Sequence, residues 1–249
     1  MANGIEAVAT AETFPHRTWR LPSAVTGLLR FCRRKPLGAL GGLCVLAMLV
    51  MAAGADVIAH YAYDQSIPGA RMQPPSARFW MGTDNLSRDV WSRVVYGTRL
   101  SMLVGGVVML FSFVGGIIFG LLGGYYRPLD NVLMRIMDGF MAFPGIILAI
   151  AMMASLGPSV VNVIVALGIV YVPRVARIVR GSVLVIRETP YVEAALALGV
   201  PDLIVLLRHV LPNCLSPVIV QGTFIFAAAV LSEAALSFLG VSVPPQIPS

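Results

Sequence analysis

TPYVEAALALGVPDLIVLLRHVLPN, residues 189–213, reads as an ordered helical elbow set between two apolar runs. Thr189 can cap a helix whose first position is Pro190, where proline's missing N–H costs nothing. Gly199 supplies a helix stop, and Pro201 opens a second helix expected to end before Pro212. Two short helices at an angle are the consequence. The first presents Glu193, Ala194 and Ala195, a charge followed by two side chains small enough to let a partner surface come close. At 1.5 Å rise per residue, residues 190–198 make a rod of about 13 Å, suited to a groove on another protein. The plainer alternative is an interfacial helix lying flat on a bilayer with Glu193 merely solvated.

Working outward, the chain is 57% hydrophobic and 12% charged, far below the quarter of charged residues usual in soluble proteins. Lipid is therefore its bulk solvent. A hydrocarbon core about 30 Å thick needs roughly 20 apolar residues per helical crossing, so five or six crossings would use most of the 249 residues. The net charge of +6 does not point to nucleic acid, because the basic residues are dispersed between apolar runs. Cys32, Cys44 and Cys214 are widely spaced and read as small packing residues, with no disulfide or zinc framework. The polar residues before position 36 form too long a leader for a cleavable signal, so the first apolar run is expected to stay as an anchor.

Apolar stretches cover residues 37–58, 100–125, 140–156, 160–172 and 215–239. The fourth is short for a crossing unless its helix continues past Pro173 towards Ile186, with Arg174, Arg177 and Arg180 snorkelling along one face to the interface. A cytoplasmic N-terminus puts thirteen Lys and Arg inside, in the tail, residues 126–137 and residues 173–212, against five outside. That bias sets the orientation. The expected organisation is a cytoplasmic tail (1–36), a first span (37–58), an extracytoplasmic loop (59–99) and a membrane core (100–249) carrying the elbow at 189–212.

Pro68, Pro74 and Pro75 forbid a continuous helix through the first half of the outer loop, and helix-compatible residues resume from Leu86. Gly116, Gly120 and Gly124 recur every four residues along one helix face, where another backbone can approach closely. Gly38 and Gly42 repeat the pattern in the first span.

The string Glu193-Ala194-Ala195, three residues, Gly199, nine residues, then His209-Val210-Leu211-Pro212 closely resembles the EAA loop of permease subunits of bacterial ABC importers. Further strings resemble the second permease subunit of dipeptide, oligopeptide and nickel importers. These are Gly82-Thr83-Asp84, Arg88-Asp89-Val90, Ser92-Arg93, Met141-Ala142-Phe143-Pro144 and Glu233-Ala234-Ala235-Leu236-Ser237-Phe238-Leu239-Gly240. Together they cover the chain from about Met81 onward. Two departures stand out. His209 occupies a position where the broader EAA consensus has isoleucine, although the peptide branch commonly reads Arg-His, as Arg208-His209 does here. The sequence ends at Ser249, where relatives continue into a sixth span.

The resemblance implies an all-α polytopic membrane protein with a type I ABC importer permease fold, five spans visible and the sixth missing. It implies a bacterial inner-membrane location, a second permease subunit as partner, two cytoplasmic ATPases and an extracytoplasmic solute-binding protein. ATP and Mg would be bound by the ATPases, since this chain has no GxxxxGK[ST] loop and calls for no cofactor or catalytic residue of its own. The ATPases would engage Pro190, Glu193, Ala194, Ala195, Gly199, His209, Leu211 and Pro212. Peptide is the first-choice cargo, and nickel or another metal chelate the alternative.

Intramembrane ionisable residues are functional suspects because their burial is expensive. Glu233, some 20 residues into the last span, should lie near the outer surface, satisfied by backbone or by an outer-loop arginine. Together with Pro144 it is a candidate pathway or gate residue. Asp138 is expected to pair with Arg135, three residues earlier on a helix. Asp84, Arg88, Asp89 and Arg93 either pair among themselves or face a docked binding protein. A membrane enzyme is disfavoured because no His/Cys/Asp/Glu cluster has metal spacing, and His16, His60 and His209 are far apart. A stand-alone channel or receptor is the stronger rival, and co-purification of an ATPase would separate it from an importer subunit.

Overall fold

The computed structural model describes residues 32–242 and Pro248. The chain divides into two compact units, Met1–Leu46 and Ala47–Ser249. The N-terminal unit contains the first part of α1 (Pro36–Ala53), an apolar helix none of whose residues is buried. The expected first span is thus interrupted at Gly54, after which α2 (Ala55–Ile58) adds a single turn. A side chain added at Gly42 would meet nothing within 4 Å among the described residues, so the packing role expected for the first-span glycines finds no support there.

The second unit is built on α3 (Val90–Tyr125), α6 (Val160–Ile186) and α9 (Leu211–Phe238). Helix α3 begins ten residues earlier than its apolar run, because Asp89 caps it: the Asp89 carboxylate accepts hydrogen bonds from the Ser92 N–H at 2.9 Å and the Ser92 hydroxyl at 2.6 Å. Its buried positions Val104, Val108, Ser112, Gly116, Gly120 and Gly124 recur every four residues and lie against α6. At Gly120 a Cβ would stand 2.6 Å from both the Ala176 carbonyl and the Val179 Cβ, so glycine is what allows this approach. Contacts advance together, Gly116 with Val175, Gly120 with Val179 and Gly124 with Val183, so α3 and α6 run parallel. Gly105 instead meets Phe226 and Val230 while Gly222 meets Phe113, so α9 runs antiparallel to α3.

Parallel α3 and α6 require the chain to return across the layer between them. The return is α4 (Arg127–Met141) followed by α5 (Gly145–Leu156), bent by 88°. The apolar run 140–156 is therefore not one straight span: the chain breaks at Ala142 to Pro144, and α5 alone measures about 18 Å. Residues 127–137, counted above as part of a cytoplasmic segment between spans, belong to α4. Its polar face carries Asp130 and Asp138, while Met137 is buried with Val172 and Ala176. Among the described residues four helices are long and apolar enough to cross a membrane, and the bent pair adds a fifth if its two helices form one span. Helix α6 does run through Pro173 to Ile186, as the span length demands.

Two ion pairs correct local expectations. Arg180 binds Asp130 through two contacts of 2.5 and 2.6 Å, and Arg177 binds Asp138 at 2.6 Å. These arginines tie α6 to α4 rather than snorkelling to an interface. Asp138 pairs with Arg177 and not with Arg135, because burial of Met137 against α6 turns its neighbour towards that helix. In the outer loop, Arg99 joins Asp56 at 3.0 Å.

Candidate functional site: the helical elbow and the outer turn

The elbow begins at α7 (Pro190–Ala197). Thr189 has the extended backbone of a cap position, but its hydroxyl turns back to the Ile186 carbonyl at 2.5 Å instead of capping α7. Proline at the first position already removes one donor that a cap would satisfy. Gly199 ends the helix in the left-handed conformation, φ +75. Its N–H donates to Leu196 O at 2.9 Å and the Val200 N–H to Ala195 O at 3.1 Å, the paired bonds of a Schellman stop.

Glu193 and Ala194 are exposed, whereas Ala195 and Val192 are buried in the main core. The two alanines thus do different things: Ala194 leaves the outer face low, and Ala195 lets α7 settle onto the spans. At the tip Leu198 is 84% exposed, an apolar residue that the motif did not single out.

After α8 (Asp202–Ile204), a π-helical turn (Val205–Val210) feeds directly into α9. The helix expected to stop before Pro212 continues through it. A proline inside an α-helix clashes with the carbonyl four residues back. The wider turn, with the Leu211 N–H bonded to Leu206 O, accommodates that ring, and Pro212 sits in the first turn of α9 beside the half-buried Leu211. His209 is half-buried, its ring 6.5 Å from Tyr191.

Side chains fasten the elbow to the spans. The Asn213 amide donates to the His209 carbonyl at 2.7 Å and to the Tyr191 hydroxyl at 3.1 Å, clasping α7 to the foot of α9. Tyr125, at the end of α3, donates to Asp202 at 2.9 Å, and Arg187 reaches Gly124 O at 3.3 Å. The clasps made by Tyr125, Tyr191, Asp202 and Asn213 leave no signal in the sequence, since Tyr125 and Asp202 are 77 positions apart and Tyr191 and Asn213 are 22 apart. The elbow is consequently a stiff lever with one free face.

At the other end, the outer turn gathers Asp84, Arg88, Asp89 and Arg93. Asp84 accepts from the Leu86 and Arg88 N–H groups at 2.8 and 2.9 Å and pairs with the Arg88 guanidinium at 2.7 Å. Burial alone would raise its pKa, yet those hydrogen bonds outweigh it and hold the carboxyl below the usual carboxylate range. Asp89 is 3% exposed and spends one oxygen on the α3 cap. Arg93 donates to Tyr63 O at 3.3 Å. Behind them Thr83 donates to Ala70 O and accepts from the Gln73 N–H, closing a small core of Ile67, Ala70 and Phe79.

Pro144 begins α5 at the bend, and its carbonyl accepts from Ile147 and Leu148. Glu233 lies in α9 and is 1% exposed. Among the described residues neither of its carboxylate oxygens has a hydrogen-bond partner, so the expected satisfaction by backbone or an outer-loop arginine is not found there.

Parallel and antiparallel spans, a bent crossing and a capped elbow define a multi-pass helical membrane protein of the transport-permease class. Residues 116–249 match the family described as binding-protein-dependent transport system inner membrane component, and residues 24–75 match the N-terminal TM domain of oligopeptide transport permease C. The chain belongs to the family of inner membrane components of binding-protein-dependent transport systems. A Brucella suis biovar 1 protein, provisionally named a peptide transport system permease, is 48% identical over 82% of this chain and 69% of its own. The dipeptide transport system permease protein of Alkalihalophilus pseudofirmus is 40% identical over 87% of this chain and 71% of its own. The di/tripeptide transport system permease protein of Pseudomonas aeruginosa is 39% identical, with 85% and 72% covered.

Proposed function

We propose that this chain is one transmembrane half of the translocation pathway of an ATP-driven importer for di- or oligopeptides, with its N-terminus in the cytoplasm. Its relatives' names support the cargo. A second permease subunit completes the pathway, two ATPases bind ATP and Mg, and an extracytoplasmic binding protein delivers the solute. The observation that carries the coupling role is the elbow itself: Glu193 and Ala194 are exposed on α7, with Leu198 exposed at its tip, while the other face of α7 is packed on the core and tied to α9 through Tyr191 and Asn213. When the ATPases close, residues 190–198 move with their groove. The spans joined through Arg187 and Pro212 must follow.

On the outside, Arg88 and Arg93 are the docking candidates for the binding protein, while Asp84 and Asp89 hold the turn that presents them. Pro144 serves as a hinge of the pathway. Glu233 serves as a gate element, because an unpaired buried carboxylate is costly to keep and marks function by default.

The test is made on the assembled transporter in proteoliposomes. Glu193→Lys and Gly199→Val are expected to abolish ATP hydrolysis stimulated by solute-loaded binding protein, while the chain still inserts. Undiminished stimulation in both variants would refute the coupling role. Uptake of a labelled dipeptide tests the cargo.

A further inference from the structure

A small polar cavity of about 170 Å³ opens where α4 bends into α5. Phe140, Phe143 and Gly145 line it from the bend, Tyr171 and Arg174 from α6, and Ser232 from α9. The Tyr171 and Ser232 hydroxyls share a hydrogen bond of 2.9 Å, and the Arg174 guanidinium stands 5.6 Å from the centre of the Tyr171 ring. Three cationic and hydroxylic groups therefore converge on an otherwise apolar hollow.

Arg174 differs from its neighbours. Arg180 and Arg177 each hold an aspartate of α4, whereas Arg174, the next on the same face, has no ion-pair partner among the described residues. It lies near the middle of α6, twelve residues or about 18 Å before the end at Ile186 and just past the apolar run 160–172, with its side chain exposed. A guanidinium is always charged, and exposing one to hydrocarbon at that depth is expensive. It persists where it faces water or an anion. An arginine fork matches a carboxylate with two parallel hydrogen bonds, and the Tyr171 and Ser232 hydroxyls add donors or acceptors beside it.

Resting on the peptide-importer reading, we infer that this hollow is a transient subsite for the free carboxylate of the transported peptide, with Arg174 as its cationic contact. The volume suits a carboxylate and its adjoining backbone, not a whole peptide. Its place at the bend lets the movement of α5 about Pro144 open or close the subsite.

The experiment compares uptake of a dipeptide and its C-terminal amide by the complete transporter, each presented on saturated binding protein. Selectivity of the binding protein is common to all variants and cancels in the acid-to-amide ratio. Arg174→Gln should lower uptake of the acid about tenfold and leave the amide within about twofold, as expected for loss of a charged hydrogen bond. Arg174→Lys should retain most of the ratio, and the isosteric Tyr171→Phe should lower it in part. Co-purification with the ATPase reports assembly. A ratio unchanged in Arg174→Gln and Tyr171→Phe overturns the subsite while leaving the importer reading intact. Equal loss of acid and amide, reversed by changing the anionic lipid content, assigns Arg174 to a lipid phosphate and also overturns it. Wild-type transporter that imports neither peptide overturns the peptide reading and the subsite together.

Discussion

Asp84 organises the outer turn with a single carboxylate, and its chemistry gives that turn a pH limit. Its folded-state pKa lies below the ordinary value near 4, so the stabilisation it provides is complete above about pH 4 and is lost as pH falls through the folded value. Acidification below about pH 4 should therefore loosen the turn, and Asp84→Asn should remove this part of the pH dependence. Trp80 and Trp91, with rings 5.4 Å apart beside the turn, give a fluorescence signal that reads the change. In the bilayer, single atoms decide packing instead. Gly120→Ala places a methyl 2.6 Å from the Ala176 carbonyl, and backbone on that side can yield little. The variant should lose about 1–3 kcal/mol in thermal unfolding in detergent. Gly181→Ala, whose added carbon meets nothing within 4 Å, should be neutral or gain up to about 1 kcal/mol from helix propensity.

At the scale of elements, the elbow is stiff because Asn213 joins two of its parts by one amide. Asn213→Ala removes both bonds and should uncouple hydrolysis from uptake: ATPase binding persists, while the number of peptides moved per ATP falls about threefold or more, in line with losing hydrogen bonds worth about 1 kcal/mol. The elements themselves were largely legible in the sequence. Helices α3, α6 and α9 announce themselves by apolar length, the four-residue glycine repeat foretells the α3–α6 seam, and Gly199 marks a stop that its left-handed backbone realises. Other features depend on tertiary contacts. Residues 140–156 are continuously apolar, so hydropathy runs straight over the break at Pro144. Pro212 by itself signals a stop, and only the π-helical turn before it lets the helix pass. Arg135 is the local partner for Asp138, yet the side chain that arrives from α6 prevails. Within the candidate site, the residue types of the motif were readable, but its clasp was not: Tyr125 and Asp202 are 77 positions apart.

The whole molecule is organised by direction. Parallel α3 and α6, with α9 returning against them, put Tyr125, the elbow and Arg187 at one end, and the outer turn and the α9 terminus at the other. Because these directions follow from contacts within the second unit, the two ends must face opposite sides of a membrane that α3 crosses. The proposed orientation puts the elbow end in the cytoplasm, in keeping with Arg127, Arg135, Arg177, Arg180, Arg187 and Arg208, which fall towards that end. The choice is open to a direct measurement in intact spheroplasts with a membrane-impermeant maleimide, after Cys32 and Cys44, both exposed, are replaced by serine. Ala77→Cys, in the exposed part of the outer loop, should label at once from outside. Leu198→Cys, 84% exposed at the elbow tip, should label only after the membrane is opened, and should be protected when the ATPases are bound. Labelling of Leu198→Cys from outside would reverse the orientation and remove the elbow from the reach of any cytoplasmic ATPase. Labelling after opening, without protection by ATPase, would keep the orientation and discard the elbow as the point of attachment.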